Sequence, residues 1–239
     1  MDIGLKTDIH SHILPGVDDG ARDSGSSLRI LETLHGMGVN RFVLTPHVCG
    51  GLYPNTQHKL LLAYDALQGE LPAELSSEIS MWLVSEYMLD EFFEDIEAPF
   101  TYPDGKSVLV EMSYQSRSAN LLDSIFDLIQ EGYHPILAHP ERYEFYFSKT
   151  GKVKALPELE KLLDMGCRLQ LNIQSLTGCY GKGSLANLKY MLDHDMYSFL
   201  ATDIHSSSQV QHFTDFQVNA SQFEKVRQLA VANDLLFKI

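Results

Sequence analysis

Basic residues are scarce: 18 Lys and Arg stand against 32 Asp and Glu, a net charge of −14 at pH 7. No basic stretch is present to displace counterions, which excludes a nucleic-acid backbone as the main partner. An anionic substrate remains compatible if metal ions carry the local positive charge. Cysteine is sparse too. Cys49, Cys167 and Cys179 are odd in number and show no CxxC spacing, so neither a disulfide framework nor a thiolate zinc site is indicated. No run of 18 apolar residues occurs, and MDIGLKTDIH lacks the basic, apolar and small-residue segments of a secretory signal. The expectation is a cytoplasmic protein with no direct membrane insertion. Internal repeats, low-complexity tracts and linkers are also missing, which predicts one domain over residues 1–239.

What is present is an alternation. Short β-rich runs fall at 5–13, 40–47, 79–88, 107–114, 133–142, 167–176 and 197–206, and helical periods lie between most of them. Among these are SSLRILETLHGMG, NLLDSIFDLIQEG and ALPELEKLLDMG (155–166), each stopping at glycine as helices commonly do. Seven strands alternating with helices imply parallel βαβ units. The fold class is α/β, a closed or distorted (β/α)7 barrel resembling the TIM barrel, with a doubly wound open sheet as the alternative.

The first strand, in TDIHSHILPGVDDG (7–20), sets Asp8, His10 and His12 at alternate positions, so a regular strand puts all three on one face. Ionisable residues recur near the C-terminal ends of the other strands: His47, Glu86, Glu111, His139, Asp203 and His205, with Asp19 just after the first strand. In a parallel barrel those ends converge on one mouth, where such folds build their sites. Burying so many imidazoles and carboxylates without partners costs several kcal/mol per charge, whereas metal ions pair them all. Mixed nitrogen and oxygen donors without thiolate suit Zn, Mn or Fe. Nine candidates, His10, His12, Asp19, His47, Glu86, Glu111, His139, Asp203 and His205, exceed one coordination sphere and imply two or three divalent ions.

Taken together, HSH (10–12), TPH (45–47), SEYMLDE (85–91), VEMSY (110–114), AHPERY (138–143) and ATDIHS (201–206) resemble the PHP superfamily. DIHSHILPGVDDGA (8–21) with HPERY is similar, more narrowly, to the bacterial metal-dependent protein-tyrosine phosphatases of capsule and exopolysaccharide loci. That resemblance implies a trinuclear, usually manganese-dependent centre held by the nine residues. Asp19, His47 and His205 form one group, His10, His12 and Asp203 another, and Glu111 bridges. It also implies a phosphate-binding role for Arg142, whose planar guanidinium can hold two oxygens at once. Many relatives carry another Arg shortly after the last DxH, where this chain reads HSSSQVQHF.

The implied substrate is phosphotyrosine in the tail of a bacterial tyrosine autokinase that controls polysaccharide export. The alternatives are a small-molecule phosphoesterase of histidinol-phosphatase type and a silent binding protein, against which the complete ligand set speaks. A cysteine phosphatase needs a CxxxxxR loop, but Asn55, Ile173 and Leu185 stand six residues after the three cysteines. Tyr53 and Pro54 in CGGLYPNTQH (49–58) are candidate walls for an aromatic ring. FFEDIEAPFTYPDG (92–105) is a second candidate for substrate contact, or for contact between copies in a homo-oligomer.

Overall fold

The computed structural model describes residues 3–96, 98–146, 157–213 and 215–238. The predicted strands appear as β1 (Thr7–Ser11), β2 (Arg41–Leu44), β3 (His47–Val48), β4 (Ser80–Leu83), β5 (Glu86–Met88), β6 (Ser107–Glu111), β7 (His134–Ala138), β8 (Arg168–Asn172) and β9 (Phe199–Ala201). Two of the seven predicted runs are thus broken in two. Thr45 and Pro46 part β2 from β3, where Pro46 has no N–H for the ladder, and Val84 and Ser85 part β4 from β5. Pairing nevertheless continues across the breaks, with Val84 N donating to Leu44 O at 2.9 Å and Glu86 N to Pro46 O at 3.1 Å.

All the ladders are parallel, in the orders β1-β2-β4 and β3-β5-β6-β7-β8-β9. The series returns to its start, because His12 N donates to Ile204 O and Asp203 N to His10 O, both at 2.9 Å. The architecture is the distorted (β/α) barrel that the pattern predicts. Between the strands run α1 (Ser24–Gly36), α2 (Gln57–Glu70), α3 (Ala73–Glu78), α4 (Leu121–Gln130), α5 (Pro157–Met165) and α6 (Gly181–Asp193), with α7 (Ala220–Ala232) after β9. Two residues of the helix expected over 155–166, Ala155 and Leu156, lie outside the described residues. No described helix is long and apolar enough to cross a membrane.

Strand alternation divides the core in two. Val108, Val110, Leu137, Leu169 and Leu171 pack with helix residues such as Ile30, Leu34, Ile125 and Leu162. The opposite faces supply Ile9, Val43, Val84, Leu109, Ile136, Ala138, Phe199 and Ala201, a cluster with no α-helix residue that fills the barrel interior. Tyr102 enters that interior and donates to Ile9 O at 2.8 Å.

The turn after α7 inserts Leu236 into the same cluster and sets Asn233 against the strands. Asn233 Nδ2 donates to Thr7 O at 2.8 Å and Leu200 O at 2.6 Å, and its Oδ1 accepts from Leu200 N at 3.2 Å. Asn233→Leu strands these buried groups. The expected loss is about 1–3 kcal/mol, read as a lower denaturant midpoint at unchanged slope.

Candidate metal centre

β1 is not regular. Thr7 and Asp8 pair with Arg41 and Phe42, but Ser11 pairs with Leu44, so three steps on β1 match two on β2. This bulge re-aims the side chains beyond it, as bulges beside functional sites commonly do. Ile9 belongs to the interior cluster, and His10, one residue later, meets the buried Glu86 at 3.1 Å. The predicted common face of Asp8, His10 and His12 is therefore corrected. Asp8 is separated from the two histidines and accepts from Thr202 N at 3.0 Å and from the Thr202 hydroxyl.

Past the bulge, outer contacts settle which ring nitrogens face inward. Gln170 Nε2 donates to Leu171 O at 2.6 Å, which leaves Gln170 Oε1 to accept from His10 Nδ1 at 2.9 Å. Asp18 Oδ2 accepts from His12 Nδ1 at 2.9 Å. In the neutral imidazoles that a metal binds, these outer contacts hold the protons on Nδ1 and turn the Nε2 lone pairs inward, and the two Nε2 atoms lie 3.2 Å apart. Glu86 Oε2 lies 3.1 and 3.3 Å from them, and Asp203 Oδ1 3.4 and 3.3 Å. Four potential ligand atoms thus converge. His47 Nδ1 also approaches Glu86 Oε2 at 3.2 Å, yet that buried oxygen has no partner in hydrogen-bond geometry. The donor set at this point fits a divalent metal.

Without an ion, the imidazoles and carboxylates balance one another's charge. Burial opposes ionisation of Glu86, but the facing His10 and His47 hold its carboxyl well below the usual range. Burial likewise opposes ionisation of Asp203, which His10, His12 and Arg142 keep charged. Burial works against a charged His12, and the Asp18 contact outweighs it. His205, by contrast, is pushed down to about 4 by burial and by His12. Its Nδ1 donates to Asp203 O at 3.0 Å, so its Nε2 is another inward-facing acceptor.

All nine residues singled out in the sequence reach this mouth. His12, Asp19, His47 and His205 can converge on one point, His10, Glu86, His139 and Asp203 on a second, and His47, Glu86 and Glu111 on a third, with ligand atoms within 4.8 Å of one another in each group. His10, His12 and Asp203 place their ligand atoms within 3.4 Å of one another, and His12 can also join Asp19, His47 and His205. The carboxylate common to two of the groups is Glu86 rather than Glu111. The ladder sets Glu86 of β5 opposite His47 of β3, and its other oxygen reaches His139 just beyond β7.

Backbone departures complete the set. His139 and Asp203 have φ of 34° and 50°, a left-handed conformation uncommon in non-glycine residues. For His139 the turn brings inward a side chain that alternation after Ala138 would send out. Gly20 serves a close approach, since a Cβ there would fall 2.1 Å from His12 O.

The centre opens into a cleft of about 590 Å³ lined by Asp19, His47, Tyr53, Glu111, Tyr114, Arg117, Arg142 and His205, among others. Tyr53 stacks on His47 with ring centroids 5.5 Å apart. Pro54 is not part of this lining. Phe93, Ile96 and Pro99 of the 92–105 segment line a separate groove against α4, and Glu97 lies outside the described residues. Arg142 Nη1 donates to Asp203 Oδ2 at 2.6 Å, a pairing with neither of its sequence neighbours Glu141 and Glu144.

Sequence reasoning missed Asp18 and Gln170. A signal existed for each: Asp18 is the first of paired aspartates, and Gln170 interrupts the apolar alternation of RLQLN. Buried partners that orient ligand imidazoles are typically worth about 10- to 100-fold in metal affinity. Gln170→Leu and Asp18→Asn are each expected to weaken Mn binding by about that factor, measured by competition with a metal indicator.

A family model described as capsular polysaccharide synthesis, CpsB/CapC, matches residues 6–234. Tyrosine-protein phosphatase CpsB of Streptococcus pneumoniae is 29% identical over 209 residues, covering 83% of this chain and 82% of that protein. Tyrosine-protein phosphatase YwqE of Bacillus subtilis strain 168 is 27% identical over 206 residues, covering 83% and 77%. A solved structure from work on YwqE of B. subtilis and CpsB of S. pneumoniae, described as unique metal-dependent tyrosine phosphatases, superposes with a TM-score of 0.76. It is 23% identical, covers 97% of this chain and 94% of its own, and shares the fold.

Proposed function

The chain belongs to the CpsB/CapC family of capsular polysaccharide synthesis proteins, and from that membership we propose that it is a cytoplasmic, metal-dependent protein-tyrosine phosphatase. Its relatives carry the name tyrosine-protein phosphatase. The observation that carries the reading is the convergence of His10 Nε2, His12 Nε2, Glu86 Oε2 and Asp203 Oδ1, two imidazoles and two carboxylates of metal-ligand type, beside a cleft that holds an arginine.

Two or three divalent ions, manganese foremost with iron and zinc as alternatives, would be held by His10, His12, Asp19, His47, Glu86, Glu111, His139, Asp203 and His205. Bound there, such ions supply Lewis-acid charge for the phosphoryl oxygens and bring the pKa of water toward about 7. The side chains do the rest. Asp18 and Gln170 keep the His10 and His12 lone pairs turned inward. Burial opposes charge on Arg142, but Asp203 beside it keeps the guanidinium charged, and its free N–H edge is suited to phosphoryl oxygens. The Tyr53 ring, resting on His47, forms a flat wall for an aromatic leaving group. No covalent phosphoenzyme is required. Cys167 is buried and its thiol pushed up to about 12, so it is unsuited to nucleophilic attack.

The substrate would be a flexible anionic segment such as the tyrosine-rich tail of a bacterial tyrosine kinase. The test compares turnover of a phosphotyrosyl peptide with histidinol phosphate at matched concentration, using the Mn-loaded protein. Preference for the peptide is expected. Preference for histidinol phosphate would transfer the chain to small-molecule phosphoester hydrolysis.

A further inference from the structure

We propose that Tyr114 and Tyr180 are positioning residues that clamp the Arg142 guanidinium between their rings and so present its in-plane N–H edge to a phosphoryl group. This rests on the reading of Arg142 as a phosphoryl ligand. Tyr114 follows β6 and Tyr180 lies between β8 and α6, so the two rings come from the loops on either side of β7, just past whose end Arg142 lies. The guanidinium carbon lies 4.3 Å from the Tyr114 ring centroid and 4.1 Å from that of Tyr180.

Arginine is a long, flexible side chain, and its value for phosphate lies in a planar fork held at a fixed angle. Three contacts hold the guanidinium here: Nη1 donates to Asp203 Oδ2 at 2.6 Å, and the Tyr114 and Tyr180 rings both lie against it. Asp203 Oδ2 is itself held by Asn172 Nδ2 at 2.6 Å. Further carboxylates in place of the rings would cancel the positive charge, and hydrogen-bonding side chains would occupy donors that the substrate needs. Aromatic faces attract the cation while leaving its N–H groups free. Held between two rings, Arg142 would meet a ligand in the cleft through its N–H edge rather than by stacking on the substrate's own ring.

Tyr180 gives the cleaner test, because the Tyr114 ring also lies 5.5 Å from His139. Tyr180→Leu and Tyr180→Phe would be made in the natural and the Arg142→Ala backgrounds. Inorganic phosphate affinity is measured by calorimetry on the Mn-loaded protein, alongside kcat and KM for a phosphotyrosyl peptide. Tyr180→Leu is expected to weaken phosphate binding and raise KM about tenfold, with Tyr180→Phe within about twofold of the natural protein. In the Arg142→Ala background Tyr180→Leu should add no loss.

A Phe variant as impaired as the Leu variant would overturn the clamp, as would a Leu loss that persists without Arg142, which marks a merely structural role. The same pair at Tyr114 provides a second reading if Tyr180→Leu does not fold. Arg142→Ala with undiminished phosphate affinity is a different failure. It would remove the phosphoryl role of Arg142 itself.

Discussion

Glu86→Gln is expected to lower turnover of a phosphotyrosyl peptide by about 10³-fold or more, with loss of bound metal. The substitution preserves shape and removes one charge. Glu86 Oε2 faces His10, His12 and His47, and Oε1 lies 3.1 Å from His139 Nε2. No other carboxylate belongs to two of the candidate groups, so its loss disturbs both. An amide has one neutral oxygen where a carboxylate has two charged ones, and its NH₂ would point at lone pairs that cannot receive it together with a cation. Metal content by elemental analysis and rate across a Mn titration read the outcome. The natural protein should lose activity to a chelator and regain it with Mn. A Gln variant with full metal and full rate would remove the centre from the reaction.

The second large effect is expected at Arg142. Lysine can keep the ion pair with Asp203 at that depth, so the fold and the ligand set should persist. It offers a point charge in place of a planar fork and cannot lie flat between Tyr114 and Tyr180. Arg142→Lys is expected to lower kcat/KM about 100-fold, the scale of one lost charge-stabilising donor, with metal content unchanged. If metal content falls in parallel, Arg142 acts through Asp203 and not on the substrate. Measuring both quantities on one preparation separates the two roles.

How much of this was legible in the sequence varies by position. His47, Glu86 and Glu111 stand as ionisable residues toward the ends of apolar β-rich runs, and that contrast located them. His10 and His12 were recognised, but for an incomplete reason: strict alternation joins them to Asp8, and the bulge between Asp8 and Ser11 breaks that face. His139 reaches the centre through a left-handed turn that HPER does not announce. The breaks in β2/β3 and β4/β5 were equally invisible as breaks, because pairing runs on across them.

The sequence by itself determined the chemistry: oxygen and nitrogen donors without thiolate, placed where parallel strands end, and an arginine just beyond one of them. Those follow from residue type and local period, which each segment carries alone. Only the tertiary structure decided which ring nitrogens face inward, which carboxylate is shared and what holds the arginine flat. His10 takes its orientation from Gln170, 160 residues away, and Arg142 takes its orientation from Asp203 and two tyrosines on other loops. Such pairings are set by barrel closure and by backbone irregularities, and neither has a local periodic signature.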